Sequence, residues 1–139
     1  MPTAREIMTP DVTCVGEKET LVDAAKKMAD LGVGSLPICG EDNRLKGMLT
    51  DRDIVVKALA KGRNPADCTA SELAEGKPVT VGADDDANEI LRTMGQHKVR
   101  RVPVIDGHDL VGIVSQADLA TNIDEEKVGD LVEAISAAP

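Results

Sequence analysis

Gly47-Met48-Leu49-Thr50-Asp51-Arg52-Asp53 is written twice in this chain, the second time as Gly112-Ile113-Val114-Ser115-Gln116-Ala117-Asp118. Both copies read glycine, two apolar residues, a hydroxyl residue, two variable residues and aspartate. The pattern predicts a buried strand that runs into a helix, with a hydroxyl and a carboxylate at the junction. Such a junction suits a ribose and a phosphate better than it suits a reaction. The repeat extends outward from these seven residues, and repeats of tens of residues decide an architecture. Pro37 maps to Pro103, a shift of 103 − 37 = 66, and the same shift carries Thr3-Ala4 onto Thr69-Ala70, Val15-Gly16 onto Val81-Gly82 and Met28 onto Met94. After the turn that follows each proline strand the shift falls to 65, as in Asp53 to Asp118. Register is kept along the whole repeat, and one residue is lost in a turn.

Each copy predicts the same order of elements. Thr3 to Glu6 and Thr69 to Glu72 have capping-box spacing at a short helix start. Short apolar strands are expected at Val12 to Val15 and Val79 to Val81. Leu21, Ala24, Ala25 and Met28 then form one apolar helical stripe, repeated by Ala87, Ile90, Leu91 and Met94. Thr20 and Asp86 stand where an N-cap belongs. Leu36 to Cys39 and Val102 to Ile105 read as strands opened by a proline, which at a strand start removes no needed donor. Turn-rich Gly40 to Arg44 and Asp106 to Asp109 join them as hairpins to Leu45 to Leu49 and Leu110 to Val114. A second helix begins at Thr50 or Ser115, and Gly62 is placed to end the first of these. Boundaries follow: repeat one over residues 1–62, a linker over 63–68, repeat two over 69–123 and a C-terminal helix over 124–139.

Composition narrows the function. The 139 residues hold no Phe, Tyr or Trp and carry a net charge of −9. Without aromatic platforms or a basic surface, nucleic-acid binding is not expected. No apolar run reaches membrane-spanning length. The N-terminus is patterned as a helix and not as a signal peptide, so a cytoplasmic location is expected. Two halves of about 66 residues would each bury a modest core alone. His97 and His108 lack metal-ligand spacing, and no metal site is expected. No nucleophile elbow or dinucleotide fingerprint is present, so an enzyme is not expected. Asp84-Asp85-Asp86 reads as a helix N-terminus, where negative charge is favourable.

This β-α-β-β-α unit, present twice with Gly-h-h-[ST]-x-x-Asp at its last junction, resembles the CBS domain. Nearly the whole chain resembles a tandem pair, or Bateman module, and Thr3 to Met8, Val12 to Glu17, Leu36 to Gly40 and Gly47 to Val55 look most like the stand-alone proteins of the hypoxic response type. The resemblance implies an α+β fold of two repeats packed with pseudo-two-fold symmetry. It also implies ligand clefts between the repeats and a homodimer formed through helices; any output is expected to act on a separate, unknown protein partner. Cys14 and Cys39 lie near the ends of strands that are neighbours in CBS repeats, which makes a disulfide geometrically possible. Two buried thiols are the other reading, favoured by a reducing cytosol. Cys68 falls in the linker with no partner.

Thr50/Asp53 and Ser115/Asp118 have two readings. Ser/Thr-x-x-Asp is capping spacing that a helix wants with no ligand present. In CBS domains the aspartate takes ribose hydroxyls, and the hydroxyl residue lies near ribose or phosphate. One residue can serve both purposes. By the same resemblance, Pro37 and Pro103 border the cleft, and Arg52, Arg100 and Arg101 stand where they can face it. Arginine grips phosphate in bidentate fashion, which favours the second site; pairing with surface carboxylates is the competing role for Arg100 and Arg101. The expected function is that of a regulatory or sensory protein that binds an adenosine-containing ligand such as AMP, ADP, ATP or S-adenosylmethionine. The alternative is a ligand-free, dimeric stress-response interaction protein.

Overall fold

The computed structural model describes residues 1–74 and 76–137. In chain order the elements are α1 (Ala4–Ile7), β1 (Thr9–Pro10), β2 (Val15–Gly16), α2 (Leu21–Leu31), β3 (Ser35–Cys39), β4 (Leu45–Thr50) and α3 (Asp51–Asp53). The helix of α3 runs on through a π-helical segment, Ile54–Ala58, and a 3₁₀ turn, Leu59–Lys61. Then come α4 (Ala70–Leu73), β5 (Val81–Gly82), α5 (Ala87–His97), β6 (Arg101–Asp106), β7 (Asp109–Ser115), α6 (Gln116–Asn122) and α7 (Glu125–Ser136). The fold is α+β, with two small sheets and helices on them.

Two compact units result, and they are cut differently from the sequence repeats. One is Thr13–Pro78; the other joins Met1–Val12 to the chain from Val79 onward. Each repeat therefore gives its opening helix to the unit built by the other repeat. In the unit of residues 13–78, the sheet order is β2-β3-β4. Strand β2 pairs parallel to β3, and β3 pairs antiparallel to β4. Helix α4 docks on the loop after β2: the Ala70 N–H donates to the Glu19 carbonyl at 2.8 Å and the Ser71 N–H to the Glu17 carbonyl at 3.2 Å. Val15, Leu21, Ile38 and Leu49 fill the core, joined by Cys68, Ala70 and Leu73 from the incoming segment.

The other unit repeats this wiring. Its sheet order is β1-β7-β6-β5. Helix α1 docks through the Ala4 N–H on the Asp85 carbonyl at 2.8 Å and the Arg5 N–H on the Ala83 carbonyl at 3.0 Å. Its core gathers Ala4, Ile90, Met94, Val102, Val104 and Leu119. Helix α7 closes it: Leu131 and Ile135 are buried in that core, while Val132 stays exposed. The C-terminal helix thus packs Leu131 and Ile135 on its own unit. Residues 138 and 139, at the end of the segment expected as a C-terminal helix, lie outside the described residues.

Local chemistry explains the elements. Thr20 accepts from the Asp23 N–H at 3.1 Å while Asp23 accepts from the Thr20 N–H at 3.2 Å, a reciprocal cap at the start of α2. Glu6 and Glu72 cap the Thr3 and Thr69 N–H groups in the same way. Helix α2 ends at Gly32 with φ 66°, and α5 ends at the equivalent Lys98 with φ 54°.

Two expectations about strands are corrected. The strands expected at Val12 to Val15 and Val79 to Val81 are only Val15–Gly16 and Val81–Gly82, because pairing with β3 and β6 begins there. Pro37 and Pro103 lie inside β3 and β6, not at their starts. The Cys39 carbonyl accepts from the Glu17 N–H on the β2 side. Backbone groups alternate along a strand, so Pro37 faces that same side, two residues earlier, where β2 has not yet begun to pair. No ladder bond is lost. Strand β1, which pairs Thr9 with Ile113 and Pro10 with Gly112, had no counterpart in the sequence reading.

Candidate functional site

At each strand-to-helix junction the hydroxyl and carboxylate cap one another. Thr50 Oγ1 accepts from the Asp53 N–H at 3.1 Å, and Asp53 Oδ2 accepts from the Thr50 N–H at 3.0 Å. Ser115 Oγ accepts from the Asp118 N–H at 3.1 Å, and Asp118 Oδ2 accepts from the Ser115 N–H at 2.8 Å. Each aspartate spends one oxygen, Oδ2, on the cap of its own helix. The sheets bring the preceding residues to the same place. Ser35 pairs with Thr50 and Arg101 with Ser115, while the Asp51 N–H donates to the Gly34 carbonyl and the Gln116 N–H to the Arg100 carbonyl. Pro37 and Pro103 are buried one turn of the pleat away.

Beyond that frame the two junctions differ. In the first, Asp53 Oδ1 pairs with Lys57 Nζ at 3.3 Å, four residues along the helix. Asp51 Oδ1 accepts from the Arg52 N–H at 2.8 Å. The Asp51 carboxylate also lies over Gly34, 3.0 Å from where a β-carbon would stand. The backbone N–H groups of residues 50 to 53 are therefore all engaged, and an acid faces any incoming anion. In the second, Gln116 replaces Asp51, Ala117 replaces Arg52 and Asn122 replaces Lys57. The Asn122 amide donates to the Asp118 backbone carbonyl at 2.7 Å and leaves the carboxylate alone. Among the described residues, the Ala117 N–H has no acceptor and Asp118 Oδ1 has no donor. Arg100 and Arg101 are exposed, and neither forms an ion pair with a described residue. Arg52 is exposed on the first junction.

The sequence reading named Thr50, Asp53, Ser115 and Asp118, but it missed Lys57 and Asp51. Their signal was present: position 57 maps to Asn122 and position 51 to Gln116, the kind of charge difference that separates two copies of one site.

Cys14 and Cys39 are joined by a disulfide, with Cα atoms 5.7 Å apart. Cys68 is a free, buried thiol. Beside the bridge, Lys27 Nζ donates to the Cys14 carbonyl at 3.1 Å and to Glu19 Oε1 at 2.8 Å, and Glu19 Oε1 also accepts from the Gly16 N–H at 2.8 Å. The Lys27 and Gly16 hydrogen bonds hold the Glu19 carboxyl below its ordinary range. No group of three or more His, Cys, Asp or Glu side chains is gathered among the described residues where a metal could sit. No described helix is long and apolar enough to cross a membrane.

Comparison with known proteins agrees with this architecture. The CBS domain model matches residues 4–59 and 70–125. Hypoxic response protein 1 of Mycobacterium tuberculosis is 53% identical over 135 residues, covering 97% of this chain and 94% of that protein. A crystal structure of hypoxic response protein I with two coordinated zinc ions matches with a TM-score of 0.83 and 54% identity, covering 88% of this chain and 100% of the other. The crystal structure of CBSX2 in complex with AMP shares the fold at a TM-score of 0.75 and 22% identity, covering 87% and 95%. The duplicated Gly-h-h-[ST]-x-x-Asp junction, the paired sheets and these matches make one assignment: the chain belongs to the CBS-domain family, as a tandem pair.

Proposed function

We propose that this CBS pair is a non-catalytic regulatory protein that binds an adenosine-containing ligand, and that the junction of Ser115 and Asp118 is its principal site. The open groups of that junction carry the reading. Asp118 Oδ1 is free to accept from a ribose hydroxyl, and the Ala117 N–H at the start of α6 is free to donate to a phosphate oxygen. Arg100 and Arg101 add cationic donors beside Ser115. At the first junction the equivalent groups are engaged: Lys57 pairs with Asp53 Oδ1, and the Arg52 N–H donates to Asp51. The AMP held by a fold neighbour supports the ligand class. Zinc, which the hypoxic response protein I structure contains, is not carried over, because the described side chains do not gather a ligand set for it.

Calorimetry against AMP and ATP tests the proposal. Asp118→Ala is expected to weaken binding by roughly ten- to a hundredfold, the loss of a charged hydrogen-bond partner worth about 1.5–3 kcal/mol. Asp53→Ala should weaken it much less. Asp118→Asn controls for the cap, since it keeps a side-chain acceptor and loses the charge. Wild type that binds neither nucleotide nor S-adenosylmethionine at millimolar concentration would replace this reading with that of a ligand-free interaction protein.

A further inference from the structure

The two units are wired alike, and that likeness isolates one difference. In each, the loop after a short strand presents two carbonyls to an opening helix. Glu17 and Glu19 hold α4; Ala83 and Asp85 hold α1. A carboxylate tightens each loop from inside, Glu19 on the Gly16 N–H and Asp85 on the Gly82 N–H, both at 2.8 Å. Residues 20 and 69 bridge in one unit as residues 3 and 86 bridge in the other. Only the unit of residues 13–78 adds a covalent tie. Cys14 enters β2 and Cys39 ends β3, whereas Thr80 and Ile105 stand at the equivalent positions. Lys27, which holds the Cys14 carbonyl, is also replaced, by Thr93.

We propose that the Cys14–Cys39 pair is a thiol–disulfide switch on the docking of helix α4. The bridge pins the two-residue strand β2 to β3, and β2 leads directly into the loop on which α4 sits. Strand β2 makes only two residue pairs, Val15 with Ile38 and Gly16 with Cys39. With so short a ladder, the covalent tie is a large share of what holds the loop in place.

The chemistry is a dithiol exchange. Cys14 is half-buried and Cys39 buried, so a thiolate of an external dithiol attacks Cys14 Sγ. The Cys14–Cys39 bond breaks, and Cys39 leaves as a thiolate that takes a proton. The second thiol of the reductant then displaces Cys14 Sγ from the mixed disulfide. Two electrons and two protons pass to the protein, and the dithiol becomes a disulfide. Freed of the tie, β2 and its loop open more often, and α4 loses the Glu17 and Glu19 carbonyls during each opening. This inference is independent of the ligand proposal.

Amide hydrogen exchange on the full chain, before and after treatment with dithiothreitol, tests it. Protection at residues 15–19 and 70–73 is expected to fall by about tenfold or more on reduction, as expected for local opening once a cross-link is lost. Residues 81–85 and 4–7 have the same wiring without a bridge, and their protection should not change. The double variant Cys14→Ser/Cys39→Ser should match the reduced wild type with no reductant present, and Cys68→Ser should respond as wild type does. Equal loss in both units, no loss in either, or an air-exposed protein whose mass shows Cys14 and Cys39 unlinked would overturn the proposal. If the double variant does not fold, the reduced wild type decides the matter by the same comparison of segments.

Discussion

Gly112 shows how much one residue type can carry. The glycine that opens each repeated motif lets a segment of the other repeat lie on the strand. A β-carbon on Gly112 would meet the Met8 side chain and stand 2.9 Å from the Thr9 carbonyl oxygen. One on Gly47 would meet the Ala74 β-carbon at 3.0 Å, with no backbone atom nearer than 4.0 Å. Backbone yields less readily than a side chain, and overpacking of this kind typically costs about 1–3 kcal/mol. Gly112→Ala is therefore expected to destabilise the protein by an amount in that range, and Gly47→Ala by less. Urea unfolding of the two variants checks the order; equal midpoints would show that β1 can move aside. Lys98 is a residue-scale exception of another sort, since it holds a left-handed φ of 54° where the first repeat has Gly32.

Among the elements, the opening helices carry the most information. Each is four residues long and is too short to persist by itself. Their stability comes from docking, and they dock in the unit formed mainly by the other repeat. Ala70 and Leu73 are buried in the core with Leu21, Ile38 and Leu49. A fragment ending at the repeat boundary, residues 1–62, lacks α4 and leaves that core open. A fragment of residues 13–78 contains the complete unit and its disulfide. The expected outcome is a dispersed amide spectrum and a cooperative thermal transition for residues 13–78, and neither for residues 1–62. Cooperative unfolding of both fragments at the same temperature would mean that α4 contributes little. The irregular third helix has a local counterpart: a π-helical segment follows Asp53, whereas α6 after Asp118 is regular.

For the molecule as a whole, core and surface follow from a composition without aromatic rings. Both cores are built from aliphatic residues and methionine, with Cys68 added in one, and among the described residues there is no buried charged residue and no unsatisfied buried side-chain polar atom. Leu31, Val55, Val56 and Leu59 remain 43–55% exposed on α2 and the third helix. We propose that a second copy covers them, as the CBS resemblance implies. Multi-angle light scattering at micromolar concentration should give twice the mass of the 14.6 kDa chain, and Val55→Glu/Leu59→Glu should return the monomer mass. A monomeric wild type would end the dimer proposal.

What the sequence determined by itself was everything written in local or periodic chemistry. The motif of residues 47–53 and its copy at 112–118, the stripes of α2 and α5, the capping residues Thr20 and Asp86 and the Gly62 stop all act within a few residues of where they stand. The duplication itself was legible because register survives in the text of the chain. What only the tertiary structure decided was long-range pairing. The exchange of α1 and α4 between units, the β1–β7 ladder, the mid-strand place of Pro37 and Pro103, and the engagement of Asp53 by Lys57 depend on which surfaces meet. A repeat reads the same whether it packs on itself or on its copy, because its apolar pattern says that a face must be buried and not by what. That choice rests with the geometry of the whole chain.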